Sequence, residues 1–164
     1  MIKRSEERFK KHLPKSRDVT LIVLKGHLLI EEEVNELLDV LLKNPRELYA
    51  ADLRFYQKIC LLKALFPSKD LEEREWTAIE KLNSIRNKLA HKLEPPKIEA
   101  LIKDFLKILE DPDISESEYE KESTDKRLKR NIAFLCGILS GLKEGIKAVK
   151  TPNKALQPTA KGGG

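Results

Sequence analysis

Apolar residues recur along this chain at the three- and four-residue spacing of amphipathic α-helices, interrupted by prolines and polar stretches. Pro14, Pro67 and the pair Pro95-Pro96 mark three of the interruptions, because proline cannot continue a helix interior. The pattern predicts helices over about 3–13, 18–43, 52–65, 70–91, 96–110 and 124–149. We therefore expect an all-α fold, an up-and-down helical bundle of five or six helices.

The predicted helix over 18–43 begins with the stretch VTLIVLKGHLLI, which is apolar almost all the way round. A helix of this kind belongs at the centre of a bundle. We expect a single helical domain over 18–150, with an acidic linker at about 110–122. A basic arm or short helix over 1–17 precedes it, and a tail over 151–164, which has no periodicity, is predicted to be disordered.

The formal charge of +5 is distributed unevenly. Residues 1–17 hold seven basic and two acidic side chains, and the tail adds two lysines, which leaves a net charge of −2 over 18–150. A basic arm can contact RNA or another polyanion through its phosphates, and it can equally be a solvated terminus. Glycine is absent between Gly26 and Gly137, which excludes glycine-rich phosphate loops from that part of the chain.

The two cysteines, Cys60 and Cys136, match no metal-ligand spacing, and each falls on an apolar helical stripe. They are predicted to be buried free thiols in a reducing compartment. We find no signal-peptide pattern and no apolar run of membrane-spanning length, so we expect a cytoplasmic protein with no membrane partner. No residue set indicates a bound metal or cofactor.

Candidate chemistry is concentrated in the stretch IRNKLAHK, which ends the predicted helix over 70–91. Arg86 falls about 40° from the centre of the apolar stripe, whereas His91 lies on the far side unless the chain turns before the prolines. Arginine provides a permanent charge and a planar fork of donors for phosphate, and histidine can act as a general acid or base. Together they suit attack by an RNA 2′-hydroxyl on its phosphodiester, which needs no metal.

The stretch RNKLAH resembles the R-x4-6-H motif of the HEPN (higher eukaryotes and prokaryotes nucleotide-binding) superfamily. Asn87 matches the polar residue that this family places after the arginine, and the upstream LIEEEVNELL and LRFYQKICLLKALF are similar to its bacterial members. The resemblance covers roughly residues 18–110, with residue 150 as its outer limit. It implies a helical homodimer whose two motifs share one cleft, with Arg86, Asn87 and His91 as catalytic residues.

The resemblance also implies metal-independent endoribonuclease activity, often in a toxin–antitoxin or phage-defence setting with an antitoxin or regulatory protein partner. Some members of the family are instead non-catalytic modules that bind a protein or a nucleotide, or resemble the mannitol operon repressor. The tail sequence NKALQPTA resembles the read-through tails of integron gene cassettes.

A purely structural interpretation remains open for the motif. Arg86 can pair with a carboxylate of the run Glu31–Glu33 to orient two helices, and His91 is favoured at a helix C-terminus by the macrodipole. His27, inside an apolar helix, is predicted to be a hydrogen-bonded core histidine rather than a second catalytic group.

Overall fold

The computed structural model describes residues 2–66, 71–92 and 94–150, with side chains for all of these except 2–6, 116 and 120. The tail over 151–164, which was predicted to be disordered, lies outside the described residues. No helix in the described part is long and apolar enough to cross a membrane.

The described residues form helices and no strands, which confirms the all-α bundle. The helices are α1 (Ile2–His12), α2 (Val19–Leu41), α3 (Pro45–Ala50), α4 (Phe55–Leu65), α5 (Glu73–His91), α6 (Ile98–Ile108), α7 (Glu116–Glu120) and α8 (Thr124–Lys150). Six of them correspond to the predicted helices. Asn44-Pro45 predicted a helix start as a cap and first-turn proline, and α3 begins there. The short α7 was not predicted, because five residues are too few to display a periodic apolar face.

Helix α2 occupies the centre of the bundle, as its sequence predicted, and contacts α4, α5 and α8. It begins where the Asp18 side chain accepts a hydrogen bond from the Leu21 amide at 3.0 Å, an N-cap that satisfies one free donor of the first turn. Its contact with α8 requires a glycine: a Cβ atom on Gly26 would lie 2.5 Å from Cδ1 of the buried Ile132.

Helices α2 and α8 run in the same direction. Gly26 meets Ile132 near the start of both helices, and further along the Lys143 ammonium bonds to the Glu33 carboxylate at 2.7 Å. At the far end, the Lys150 side chain donates to backbone carbonyls near the end of α2. The first turns of these two long helices therefore lie at the same end of the bundle.

Helix α1 packs on the body of the bundle. The Arg8 guanidinium forms ion pairs with Glu32 and with Glu36, the second at 2.8 Å, and Leu13 is buried in the core just after the helix ends. A cation of the basic N-terminal region is therefore bound to the carboxylates of α2.

One of the two cysteine predictions was wrong. Cys136 is buried, and burial raises the pKa of its thiol to about 12, whereas Cys60 is exposed. Helix α4 buries Phe55, Ile59 and Leu62 on one face, and Cys60 follows Ile59 onto the uncovered side. A stripe of apolar residues predicted the helix correctly but not the limits of its covered face.

Candidate active site at the end of α5

Helix α5 presents the RNKLAH motif in its last two turns. Trp76, Ile79, Leu82 and Ile85 anchor the helix in the core. The helix ends after His91, since Lys92 adopts an extended backbone three residues before Pro95. The sequence had predicted this boundary, and it leaves the motif on a rigid element.

Arg86 is half-buried on the flank of α5, and its partner is an amide. Nη1 of Arg86 donates to Oδ1 of Asn87 at 3.1 Å. In the part of the chain that the structure describes, Arg86 forms no ion pair. The carboxylates proposed to pair with it face other cations: Glu31 lies 3.6 Å from Lys58, and Glu33 lies 2.7 Å from Lys143. Pairing with the Glu31–Glu33 run therefore does not explain this arginine.

His91 is exposed and is the last residue of α5, so the chain does not turn before it. His91 follows Arg86 by five positions along the helix, which places the two Cβ atoms about 140° apart around the axis. Asn87, four residues before His91, stands about 40° from it on the same face. Its hydrogen bond therefore holds the Arg86 guanidinium on the side of the helix that carries His91.

A second polar cluster lies beside the motif and joins α5 to α2. Nε2 of the buried His27 and Oδ1 of Asn83 are 3.0 Å apart, and because the amide oxygen only accepts, Nε2 carries the hydrogen. The His27 ring also packs on Phe55, with the ring centroids 4.5 Å apart. Asn83 was missed by the sequence analysis, although it precedes Arg86 by three residues, the spacing of neighbours on one helix face.

The imidazole of His27 is held in its neutral form. Burial lowers its pKa most strongly and the Arg86 charge lowers it further, which together outweigh the opposite effects of Asn83 and Glu31. Its Nδ1 atom is buried and has no hydrogen-bond partner among the described residues, and the nearest oxygen of Glu31 is 3.9 Å away. Within this part of the chain, the predicted core histidine is therefore hydrogen-bonded at one of its two nitrogens.

A groove of about 670 Å³ lies next to the last turn of α5. Its walls include Leu89 from α5, Val19 and Thr20 from the first turn of α2, and Thr124 and Arg127 from the first turn of α8. The ends of these three helices therefore meet around one opening. Within the described residues, no group of three His, Cys, Asp or Glu side chains is placed to hold a metal ion.

Comparison of the chain with protein-family models, with curated proteins and with solved structures finds no match.

Proposed function

We propose that this protein is a metal-independent endoribonuclease of HEPN type that acts in the cytoplasm as a homodimer. The observation that supports the proposal is the hydrogen bond from Arg86 to Asn87. It directs a guanidinium that forms no ion pair within the described residues toward the helix face of the exposed His91. A phosphate is the ligand that such a fork of donors fits. The resemblance of RNKLAH to the HEPN motif supports the same assignment.

The proposed reaction is transfer of the phosphodiester to the neighbouring 2′-oxygen. One histidine takes the proton from the 2′-hydroxyl, the 2′-oxygen bonds to phosphorus, and the bond from phosphorus to the 5′-oxygen breaks. A second group gives its proton to the leaving 5′-oxygen, which yields a 2′,3′-cyclic phosphate and a 5′-hydroxyl. Arg86 stabilises the charge that develops on the phosphoryl oxygens, and Asn87 positions Arg86.

This reaction needs an acid and a base, and one chain offers one exposed histidine at the motif. His27 is buried and neutral, with its Nε2 hydrogen engaged by Asn83. A second copy of the chain would supply the second His91, which is the reason for the homodimer in the proposal. Sedimentation equilibrium should give twice the monomer mass of 18.8 kDa.

The direct test is cleavage of mixed RNA in the presence of EDTA. Replacement of either Arg86 or His91 by alanine should lower the rate at least about 100-fold, the usual contribution of a general acid–base or charge-stabilising group. Arg46→Ala and His12→Ala, which remove an exposed arginine and histidine elsewhere, are the matched controls. Intact RNA with wild-type protein, or normal cleavage by His91→Ala, would refute the activity.

The biological setting in the proposal is a toxin or phage-defence protein carried on a mobile element and neutralised by an antitoxin. It rests on the HEPN resemblance and on the cassette-like tail NKALQPTA. Induced expression in bacteria should arrest growth with the wild-type chain and not with His91→Ala. Equal growth arrest by the wild type and by His91→Ala would show that the toxicity does not depend on the motif.

The alternative proposal is a non-catalytic HEPN-like module that binds a protein partner or a nucleotide, or a regulator resembling the mannitol operon repressor. The wide angular separation of Arg86 and His91 around α5 favours it, because the two Cβ atoms do not point to one side of the helix. Under this alternative, RNA stays intact and Arg86→Ala weakens the binding of the partner.

A further inference from the structure

Two segments far apart in the sequence bring their cations together at one end of the bundle. The loop between α1 and α2 carries Lys15 and Arg17, and the first turns of α8 carry Lys126 and Lys129. The Lys129 ammonium donates to the Ser16 carbonyl oxygen at 2.8 Å, a contact that joins positions 113 residues apart. We call Lys15, Arg17, Lys126 and Lys129 the basic surface.

The acidic side chains beside the basic surface are engaged within the fold. Asp18 caps α2 through the Leu21 amide, and the Asp125 carboxylate is largely buried 3.5 Å from Lys129. The Ser123 hydroxyl, followed by the charges of Lys129 and Arg17, holds the pKa of Asp125 below its usual value. Asp125 therefore lies among these cations and interacts with one from each segment, Lys129 of α8 and Arg17 of the loop between α1 and α2.

The other cations in the first turns of α8 form ion pairs with the acidic linker. Arg127 pairs with Glu110 and Arg130 pairs with Glu122, and both guanidiniums lie within 6 Å of the Tyr119 ring centroid. By contrast, Lys15, Arg17 and Lys126 are exposed, and none of them forms an ion pair within the described residues, although the charge of Arg17 acts on Asp125. The acidic linker thus neutralises one flank of α8 and leaves the other flank positive.

The basic surface lies at the same end of the molecule as the motif. The first turns of α2 and α8 share this end because the two helices run in the same direction. The last turn of α5 reaches it as well, since Leu89 lines one groove with Val19 and Thr124. The basic surface and the end of α5 that carries the motif therefore lie at one end of the bundle, where a single polymer can reach both.

We propose that the basic surface binds the phosphate backbone of single-stranded RNA beside the site of cleavage. Lys15, Arg17 and Lys126 are exposed and Lys129 is partly buried, so the surface presents mainly positive charge, which suits contacts with a polyanion without sequence readout. The identity of the polymer rests on the proposed ribonuclease function, whereas the binding can be measured without cleavage.

The test compares two double variants with the same change in net charge. Lys15→Glu/Lys126→Glu reverses two of the four cations of the basic surface, and Lys43→Glu/Arg46→Glu reverses two exposed cations near the end of α2. Both are made in the His91→Ala background so that the RNA stays intact. Binding of fluorescein-labelled single-stranded RNA is followed by anisotropy at several salt concentrations, and folding is checked by circular dichroism.

The first double variant should bind at least about 10-fold more weakly. Its slope of log K against log salt concentration should fall by about 1.4, since each phosphate contact on a single strand contributes about 0.7. The control should bind within about threefold of the parent. Equal weakening by both variants, or no RNA binding by the parent, would overturn the proposal. Lys15→Gln/Lys126→Gln repeats the test without added negative charge if the first variant fails to fold.

Failure of this proposal and failure of the ribonuclease are distinguishable. RNA bound through the basic surface but never cleaved would support the surface and refute the activity. Cleavage with an unchanged KM in Lys15→Glu/Lys126→Glu, made with His91 intact, would keep the activity and refute the surface. Binding to phosphatidylglycerol vesicles in preference to RNA would also refute it.

Discussion

Cations lie in partly buried surroundings in two regions of the molecule, the interface of α1, α2 and α8 and the end of α5. The two regions differ in the groups that bind these cations. At the interface, Lys143 bonds to Glu33 and Glu36, and Arg8 bonds to Glu36 from the other side. At the end of α5, Arg86 meets an amide oxygen. Charges at the interface are matched by opposite charges within the fold, whereas Arg86 forms no ion pair with the residues that the structure describes.

The pKa values of the interface groups follow this pairing. Burial alone would lower the pKa of Lys143. The hydrogen bonds that its ammonium donates to Glu33 and Glu36, together with their charges, outweigh the effect of burial and raise the pKa. Burial likewise acts to raise the pKa of Glu36, and Lys143 and Arg8 lower it instead. Both groups therefore remain charged at neutral pH, and their charges belong to the native structure.

The largest expected effect comes from breaking the interface. Lys143→Met keeps the length and apolar stem of the side chain but removes the ammonium that faces Glu33, which is buried. Loss of one partner of a buried ion pair costs about 3–5 kcal/mol in the free energy of unfolding. Urea denaturation followed by circular dichroism measures this loss.

Lys81→Met is the matched control, because the ammonium of Lys81 lies 3.0 Å from Asp104 in a pair with an exposed carboxylate. Pairs of this kind contribute about 0.2–1 kcal/mol. If the two variants lost equal stability, the interface pairs would be ordinary surface pairs and the contrast with Arg86 would disappear.

We expect a smaller effect on the free energy of unfolding as the pH falls, and His27 beside the motif and Glu36 at the interface should contribute to it at different pH values. The pKa of His27 is lowered in the folded state, so the unfolded chain takes up a proton first as the pH falls through about 6.5. The folded state then loses stability at up to about 1.4 kcal/mol per pH unit, until His27 itself is protonated. The pKa of Glu36 is lowered from 4.5, so the stability it contributes is lost only in more acidic solution.

Urea denaturation of the wild type and of His27→Gln between pH 7.5 and 5.5 tests this assignment. Glutamine can still donate to Asn83 but does not titrate, so the variant should lose stability with falling pH less steeply than the wild type. Parallel pH profiles for the two proteins would assign the acid sensitivity to other groups.

The sequence predicted the helices well because burial of one face imposes a period that can be counted. The same period predicted that Arg86 would lie beside the apolar stripe of α5, and the side chain is half-buried. A period measures angles around one helix axis and does not identify the neighbouring helix. The contact of His27 with Asn83, across 56 positions, depends on how α2 and α5 pack, so no local pattern could predict it.

The fate of the glutamates of α2 shows the same limit. Glu31 and Glu33 belong to the run considered as partners for Arg86, a pairing that would orient two helices. In the structure, Glu33 faces α8 and Glu31 faces Lys58 of α4. Two positions along a helix rotate a side chain by about 200°, so neighbouring carboxylates serve different interfaces. The packing of the helices, and not the sequence pattern, therefore determines which cation each carboxylate of α2 contacts.

The smallest expected change in stability is that of Arg86→Met, and it sharpens the comparison most. The side chain is half-buried and donates to a single exposed amide, so its loss should change the free energy of unfolding by less than about 1 kcal/mol. The same variant should lose RNA cleavage at least about 100-fold, as expected for Arg86→Ala. A residue that contributes little to folding and much to turnover is one whose charge is matched by the substrate. Destabilisation as large as that of Lys143→Met would instead make Arg86 a part of the structural framework.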